Sequence, residues 1–489
     1  MKIELPIPKE VVKITTVLEN NGFLAYIVGG CVRDLLMNRE PKDWDVTTDA
    51  TPEEIVALFE KTFYENNFGT VTVVNEETDN LKLKNIEITP FRIETTYSDH
   101  RHPDEVKFSK RLEDDLSRRD LTINALAYNP SKGQLIDEFG GIKDIKDKVV
   151  RTVGNPNNRF TEDALRLLRA IRISTELGFT IEKGTAQAIE NNSDLLKKIS
   201  KERIREEFNK IIMTDSPMIG LQICQNLHLL EHILPEILPS IGTTQNGSHI
   251  YDVWEHLLRA LQHSADRNFP LHLRLSALWH DIGKPASRRW DNEKKDWTFY
   301  GHEVIGAKMV KKIMADLKYS KDLSAKVELL VRYHMFFSDI EQITLSAVRR
   351  VISKVGEENI WDLMKLRMCD RIGMGRPKED PYRLRKYEAM IEEALRSPTS
   401  VGMLKIDGQI LMTELALKPG PKIGYILHIL LEEVLEDVHK NDLDYLLNRA
   451  KELLTLDDQV LIDMTKKAKA VKDEVEAGEL AKINKKYKV

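Results

Sequence analysis

The stretch Tyr26-Ile-Val-Gly29-Gly30-Cys-Val-Arg33-Asp34-Leu-Leu-Met-Asn-Arg-Glu-Pro-Lys-Asp43-Trp-Asp45 decides how the N-terminal part of the chain folds. An apolar run ends in a Gly-Gly turn, a short helix follows, and a second strand carries two aspartates at i and i+2. Side chains alternate across a strand, so the spacing predicts Asp43 and Asp45 on one face and Trp44 turned into the core. Two carboxylates side by side suit a divalent cation. Glycines at a helix start let backbone N–H groups approach an anion such as a triphosphate. Each half is ordinary alone: a Gly-Gly turn is also a plain turn, and an Asp-x-Asp is also a solvated strand end.

Outward from that stretch, residues 9–20 place apolar side chains at helical spacing, and Asn20-Asn21-Gly22 stops the helix before a strand at 24–28. Thr51-Pro-Glu-Glu reads as an N-capped helix start with acids near the dipole's positive end. Residues 70–74 and 86–93 read as strands, so the first 150 residues form a modest unit of mixed helix and strand. The chain of 489 residues is long enough for several cores. With 42% hydrophobic and 31% charged residues it reads as soluble and globular. Its first residues lack the apolar run of an export signal and no stretch reads as a bilayer span, so a cytoplasmic protein that binds no membrane is expected. Cys31, Cys224 and Cys369 show no paired spacing and read as buried small hydrophobes. A net charge of −5 excludes a basic mass that coats nucleic acid, so any RNA binding must come from local patches.

In this order, with Arg33-Asp34 between them, the glycine turn and the aspartate pair resemble the nucleotidyltransferase domain of the polymerase β superfamily. The specific resemblance is to the bacterial-type (class II) tRNA nucleotidyltransferase and poly(A) polymerase family. It implies an α+β fold: a small polymerase-β-like head with a mixed sheet, followed by all-helical neck, HD and tail domains. The resemblance continues downstream to the helical region after Arg172. Glu87-Ile-Thr-Pro-Phe91-Arg92-Ile-Glu94 looks like the strand after the aspartate pair, which makes Glu87 a candidate third carboxylate. Tyr97-Ser-Asp99-His100-Arg101-His102-Pro is similar to the family's flexible-loop segment, although glycine usually sits at the position of His100. Leu116-Ser-Arg118-Arg119-Asp120-Leu-Thr-Ile-Asn124-Ala matches the second motif, in which Arg119, Asp120 and Asn124 would contact ribose and phosphates. Without the resemblance, the same residues read as an N-capped helix with a surface charge cluster. Asp137-Glu-Phe-Gly140-Gly141 looks like the hinge-like third motif, where glycines supply conformational freedom.

Arg159-Phe-Thr161-Glu162-Asp163-Ala-Leu-Arg166-Leu-Leu-Arg169-Ala-Ile-Arg172 reads as one amphipathic helix. On it Asp163, Arg166 and Arg169 would share a face while Leu165, Leu168 and Ile171 occupy the other. Helical salt bridges are the plain account of such a face. The family implies more: a base-pairing template in which Asp163 and Arg166 mimic a Watson–Crick edge and select C and then A. A carboxylate accepts from the exocyclic amine that C and A share, where U and G present a carbonyl. Lys201-Glu-Arg203-Ile-Arg205-Glu-Glu-Phe-Asn-Lys210 resembles the last motif of head and neck and reads equally as a charged solvated helix. Ser240 to Ser248 is polar and turn-rich and marks a boundary.

Between 256 and 370 the histidines form a pattern: His256, His280-Asp281-Ile-Gly-Lys, His302, His334 and, closing the set, Asp370. His and Asp on neighbouring helices can gather around one or two divalent metals. The pattern resembles the HD phosphohydrolase superfamily, whose ligands would be His256, His280, Asp281 and Asp370, with His302 and His334 available for a second metal. His249, His263 and His272 read as surface or core. Further on, Leu417-Lys418-Pro419-Gly420-Pro421-Lys422-Ile-Gly424 resembles a segment that follows HD regions in this family. It opens a helix over 424–438 whose two lysines suit an RNA phosphate or are an ordinary helix entry. The end, Lys482-Ile-Asn-Lys-Lys-Tyr-Lys, is a basic tail.

The expected organisation is a head at 1–150, a base-selecting neck at 151–245, an HD domain at 246–380 and an RNA-binding tail at 381–489. The expected activity is addition of C, C and A to a tRNA 3′ end from CTP and ATP, with Mg²⁺ on Asp43 and Asp45, the triphosphate on Gly29, Gly30 and Arg33, and no obligate protein partner. A poly(A) polymerase, an enzyme adding only CC or only A, and a metal phosphohydrolase with an RNA-binding head are the alternatives.

Overall fold

The computed structural model describes residues 2–65, 69–94, 106–246, 250–336, 343–396 and 398–464. The loop segment Tyr97–Pro103, His249 and the basic tail from Lys482 lie outside the described residues. The chain divides into two compact units, Met1–Pro235 and Glu236–Val489.

The first unit is built on a seven-stranded mixed sheet: β1 (Ala25–Val28), β2 (Asp45–Thr48), β3 (Thr62–Glu65), β4 (Thr70–Val74), β5 (Asn85–Pro90), β6 (Leu126–Asn129) and β7 (Gln134–Asp137). Their order is β3-β4-β5-β2-β1-β6-β7. Only β2 and β5 pair in parallel, in a register that sets Asp45 opposite Glu87. Val11, Ile14 and Leu18 of helix Lys9–Asn20 pack with Ile27, Trp44, Val46 and Ile88 into the main core of the head. Thr51 caps helix Pro52–Leu58 as expected, and Glu54 completes a capping box with it.

Two sequence expectations need correction. The strand bearing the aspartates begins at Asp45, and Asp43 lies in an exposed bend before it. On the β1 side, the register would put Gly30 opposite Asp43, and Gly30 already belongs to helix Gly30–Leu36. Trp44 is buried as expected. The run expected as a strand at 86–93 also breaks, because β5 ends at Pro90 and Arg92–Glu94 pairs instead with Val106–Phe108.

Helices Pro156–Glu162, Leu165–Leu177, Lys183–Asn192, Lys201–Ile212 and Pro217–Asn226 complete the first unit, with a two-residue ladder joining Val149–Val150 to Thr180–Ile181. In the second unit one core gathers apolar residues from helices Val253–Asp266, Leu271–Trp279, Lys321–Tyr333, Leu345–Val355, Glu357–Gly373 and Tyr382–Leu395. A further core joins Leu404 and Ile406 to helices Gly408–Glu414, Pro421–Glu436 and Leu443–Leu454. One hairpin, Arg289–Asp291 with Asp296–Thr298, interrupts the helices. Among the described residues no helix is long and apolar enough to cross a membrane.

The Gly140-Gly141 pair, read as a hinge, has a steric reason at its second position. Asp137 accepts from the N–H groups of Gly141 (2.8 Å) and Ile142 (3.0 Å), which seats the helix start on the Thr122 turn. A Cβ on Gly141 would lie 2.3 Å from the Thr122 carbonyl oxygen. Gly141→Ala is therefore expected to cost about 1–3 kcal/mol by overpacking; urea unfolding of wild type and variant measures it, and equal midpoints would refute the steric reading.

Candidate active site and candidate metal centre

The head site forms where β1, β2 and the 3₁₀ turn Thr122–Asn124 meet. Gly29 takes a φ of 88° at the end of β1, which its lack of a side chain permits. A Cβ there would stand 3.1 Å from Arg119 Nη1, 3.7 Å from Asp45 Oδ2 and 3.9 Å from the Asn124 carbonyl. Four of the expected residues thus converge on one small space. Arg119 is aimed by Asp115, a buried carboxylate that also holds Arg118 (2.7 Å). Arg119 Nε is buried without a hydrogen-bond partner.

Asp43, Asp45 and Glu87 concentrate negative charge beside these cations. Burial, then the nearby Asp43 carboxylate, push the Asp45 carboxyl up to about 6; Glu87 adds to the rise and Arg119 and Arg169 oppose it. Carboxylates crowded this way, all hard oxygen donors, fit a divalent cation. Asp43, although outside the strand, is close enough to act on Asp45.

Arg33 is buried and committed within the protein: Nη1 donates to Asn124 Oδ1 (2.7 Å), while Nε and Nη2 donate to Asp34 Oδ1 (2.9 and 2.8 Å). Gly30, with Arg33 Nη2 3.6 Å from where its Cβ would be, leaves room for that fold-back. Asp120 is buried, accepts from Arg169 Nε (2.7 Å) and from its neighbour's N–H (2.8 Å), and receives Asn124 Nδ2 at 3.4 Å. Burial alone would raise its carboxyl, but Arg169 and Arg166 hold it well below the usual carboxylate range.

The expected single helix carrying Asp163, Arg166 and Arg169 is interrupted. Helix Pro156–Glu162 ends before Asp163, whose backbone is extended, and the next begins at Leu165. The cause is local: Asp163 Oδ1 accepts the Leu165 N–H at 3.0 Å, a side-chain bond that competes with helix continuation. Asp163 does not pair with Arg166. Its other oxygen takes Arg203 Nη2 (3.1 Å), whereas Arg166 binds Glu162 (2.5 Å) and the carbonyls of Arg159 (3.3 Å) and Arg118 (3.2 Å). Leu165, Leu168 and Ile171 are buried as expected. Arg203 and Asp115 were not singled out from sequence. Arg203 lies in the charged run 201–210, but no spacing rule links it to Asp163.

In the second unit His256, His280, Asp281 and Asp370 present ligand atoms within 4.8 Å of one another, and so do Asp281, His302 and His334; all six are buried. His280, His302 and His334 place Nδ1 at 2.9, 2.7 and 2.7 Å from the carbonyls of Ala277, Phe299 and Val331. A carbonyl only accepts, so Nδ1 carries a proton and Nε2 of each ring faces the cluster. His256 Nε2 lies 2.8 Å from His280 Nε2, and Asp281 Oδ1, buried with no hydrogen bond, lies 3.0 Å from His302 Nε2. Such convergence fits a cation between the rings. Burial would raise the Asp281 carboxyl, but Lys284 (2.7 Å) and His280 hold it well below the usual range. Arg367 does the same for Asp370, binding its Oδ2 at 2.5 Å. Both cations sit one helical turn from their carboxylate, a signal available in the sequence. His263 and His272 pair with Glu379 and Asp362 instead. Lys418 is exposed, and Lys422 is engaged by Asp458 (2.8 Å).

The chain is similar to known proteins. Residues 25–151 match the family described as the poly A polymerase head domain, 178–241 the probable RNA and SrmB-binding site of polymerase A, and 246–375 the HD domain. The chain is 33% identical over 436 residues to a CCA-adding enzyme of Lactobacillus helveticus, covering 87% of this chain and 92% of that one. It is 34% identical over 452 residues to a CCA-adding enzyme of Ligilactobacillus salivarius, covering 92% and 98%. The crystal structure of the Bacillus stearothermophilus CCA-adding enzyme in complex with CTP superimposes with a TM-score of 0.68 at 26% identity, over 91% of this chain and 98% of that one.

Two outcomes follow from the charge arrangement. Asp120 has a folded pKa below its unfolded one, so its contribution is present above about pH 4 and fades as pH falls through the folded value. Asp120→Asn should cost roughly 1–2 kcal/mol at pH 7, discounted for the half-exposed Arg169, and less at pH 3; urea titrations at both pH values decide, and a pH-independent cost would contradict the pairing. Asp281 belongs to both ligand groups, whereas His334 belongs to one. Metal content by mass spectrometry should fall from about two equivalents to about one in His334→Ala and to near zero in Asp281→Asn; equal losses would show a single site.

Proposed function

The chain belongs to the CCA-adding enzymes, and from that premise we propose how its residues add C, C and A, without a nucleic-acid template, to the 3′ end of tRNA from CTP and ATP. The convergence of Gly29, Asp45, Arg119 and Asn124, with Asp120 drawing Arg169 to their side, is the observation that carries the assignment. The head is assigned to residues 1–150, the neck to 151–245, the HD domain to 246–380 and the tail to 381–489.

Asp43, Asp45 and Glu87 would hold Mg²⁺, whose chemistry in such a site is to acidify the attacking RNA 3′-hydroxyl and to offset charge on the departing pyrophosphate. Gly29 and Gly30 leave backbone room for the triphosphate. Arg119, held by Asp115 with an unpartnered Nε, supplies positive charge beside it. Arg33 acts from behind, fixing Asn124 so that its amide, with Asp120, faces the ribose. Asp163 accepts from the exocyclic amine common to C and A, and Arg166 donates to the ring. Arg203 and the Leu165 N–H fix the Asp163 carboxylate, while Glu162 and two carbonyls fix Arg166. Rejection of U and G then rests on rigid placement of these groups. Lys418 and Lys422 would meet tRNA phosphates, and Lys422 would have to leave Asp458 to do so.

The His-Asp centre is read as a second, hydrolytic site. Mixed imidazole and carboxylate donors suit a borderline transition cation, and the phosphoester-hydrolase chemistry of such centres is assigned to it. Acting on tRNA, the enzyme belongs in the cytoplasm and needs no partner protein.

Incubation of the protein with tRNA lacking its terminal three nucleotides and all four NTPs, followed by sequencing of the ends, tests the reading. Addition that stops at CCA is expected, and long A-tails would overturn it. Asp43→Ala with Asp45→Ala should abolish CTP incorporation, while Asp163→Ala should admit U and G.

A further inference from the structure

The two metal ligands Asp281 and His302 are joined by a segment that leaves the helical core as the hairpin Arg289–Asp291 and Asp296–Thr298. Its root is wired to the centre. Phe299 supplies the carbonyl that orients His302, and Asn246 donates to the Trp297 carbonyl (2.7 Å). Next to Asn246, Gln245 accepts from Lys284 (2.6 Å), which pairs with Asp281 (2.7 Å). The hairpin is thus positioned by the same short contacts that set the metal ligands.

Its surface is aromatic and cationic. Trp290 and Trp297 face each other across the strands, ring centroids 5.3 Å apart at 77°. That pairing explains how an isolated two-stranded ribbon holds its shape. It does not explain why Trp290 remains 51% and Tyr300 52% exposed. The Arg288 guanidinium lies 3.8 Å over the Trp297 ring, and its Nε is buried without a hydrogen-bond partner. Lys294 sits 5.2 Å from the Tyr300 ring. Two of the three acids nearby serve the turn: Asp291 accepts from the N–H groups of Glu293 and Lys294, and Asp296 from that of Trp297, while Glu293 is exposed at the tip. Exposed rigid rings flanked by cations, beside a phosphoester centre, are the combination that binds unpaired nucleic acid by stacking.

We propose that this hairpin is a base-stacking platform for an unpaired RNA strand whose phosphoester end is presented to the His-Asp centre, with Trp290 and Tyr300 as the stacking surfaces. The inference rests on the hydrolytic reading of that centre. A polymer end would then be preferred over a small phosphoester, because only the polymer has a base to place on the hairpin.

The full chain, loaded with metal, is assayed on bis(p-nitrophenyl) phosphate and on a short unpaired RNA ending in a 2′,3′-cyclic phosphate. Trp290→Ala and Tyr300→Ala should each raise KM for the RNA about tenfold while leaving the small ester within about twofold, and Trp290→Phe should recover most of the loss. Tyr300 lies outside the cross-strand pair but accepts from Lys294 at the turn, so Tyr300→Phe, which removes that bond and keeps the ring, separates stacking from hairpin stability and should retain the wild-type KM for the RNA within about twofold. Unchanged RNA kinetics in both alanine variants would overturn the proposal and leave the hairpin to a protein partner. If neither substrate is hydrolysed, the hydrolytic reading fails, and quenching of tryptophan emission by the same RNA decides the platform alone: a quenchable component lost in Trp290→Ala supports it, and identical quenching overturns it.

Discussion

A buried carboxylate must find cations or lose its charge, and Asp120 imposes that demand at the centre of the first unit. It is met from two directions. Asn124, one turn along, reaches back to it and also receives Arg33, so the glycine turn and the 3₁₀ turn are tied together. Arg169 arrives from helix Leu165–Leu177 and brings that helix against the head. The far end of the same helix is also held: Glu176 binds Arg172 and Lys42, and Arg172 continues to the buried Glu207. Lys42 precedes Asp43. The helix that carries Arg166 and Arg169 is therefore fixed at one end beside Asp120 and at the other beside the bend that holds Asp43.

The second unit pairs its buried carboxylates with Lys284 and Arg367 in the same way, and orients its histidines with a further device. His280 and His334 stand at the C-terminal ends of their helices, where the last carbonyls have no helical partner. Each ring takes up one such carbonyl through Nδ1. The bond that completes the helix end also fixes the tautomer and turns Nε2 inward. Capping and ligand orientation become one interaction, so the centre is assembled by folding alone.

Much of this was legible in the sequence where a regular period operates. The N-cap at Thr51, the helix over 9–20, the buried face of Leu165, Leu168 and Ile171, and the grouping of the six His and Asp side chains all follow from spacing or residue type. What was not legible depends on contacts distant in the chain. Nothing near Asp163 announces Arg203, forty residues on, and nothing near Asp120 announces that Arg169 will be its partner. The exposed hairpin beside His302 was passed over because alternating Trp and charge in so short a run has no distinctive period.

The failures share a cause. Asp43 lies just before its strand, and Asp163 lies between two helices, although the sequence put both inside regular elements. Inside an element the period dictates where a side chain points, so neighbouring residues are aimed together. At a break each can be aimed separately, and the backbone groups exposed there need partners. Asp163 provides one itself by accepting the Leu165 N–H, which leaves its second oxygen for Arg203. The break that defeats the helical-face argument is what frees Asp163 from Arg166 and lets the two side chains be fixed independently. A site proposed to read two edges of one base requires that independence more than it requires an unbroken helix.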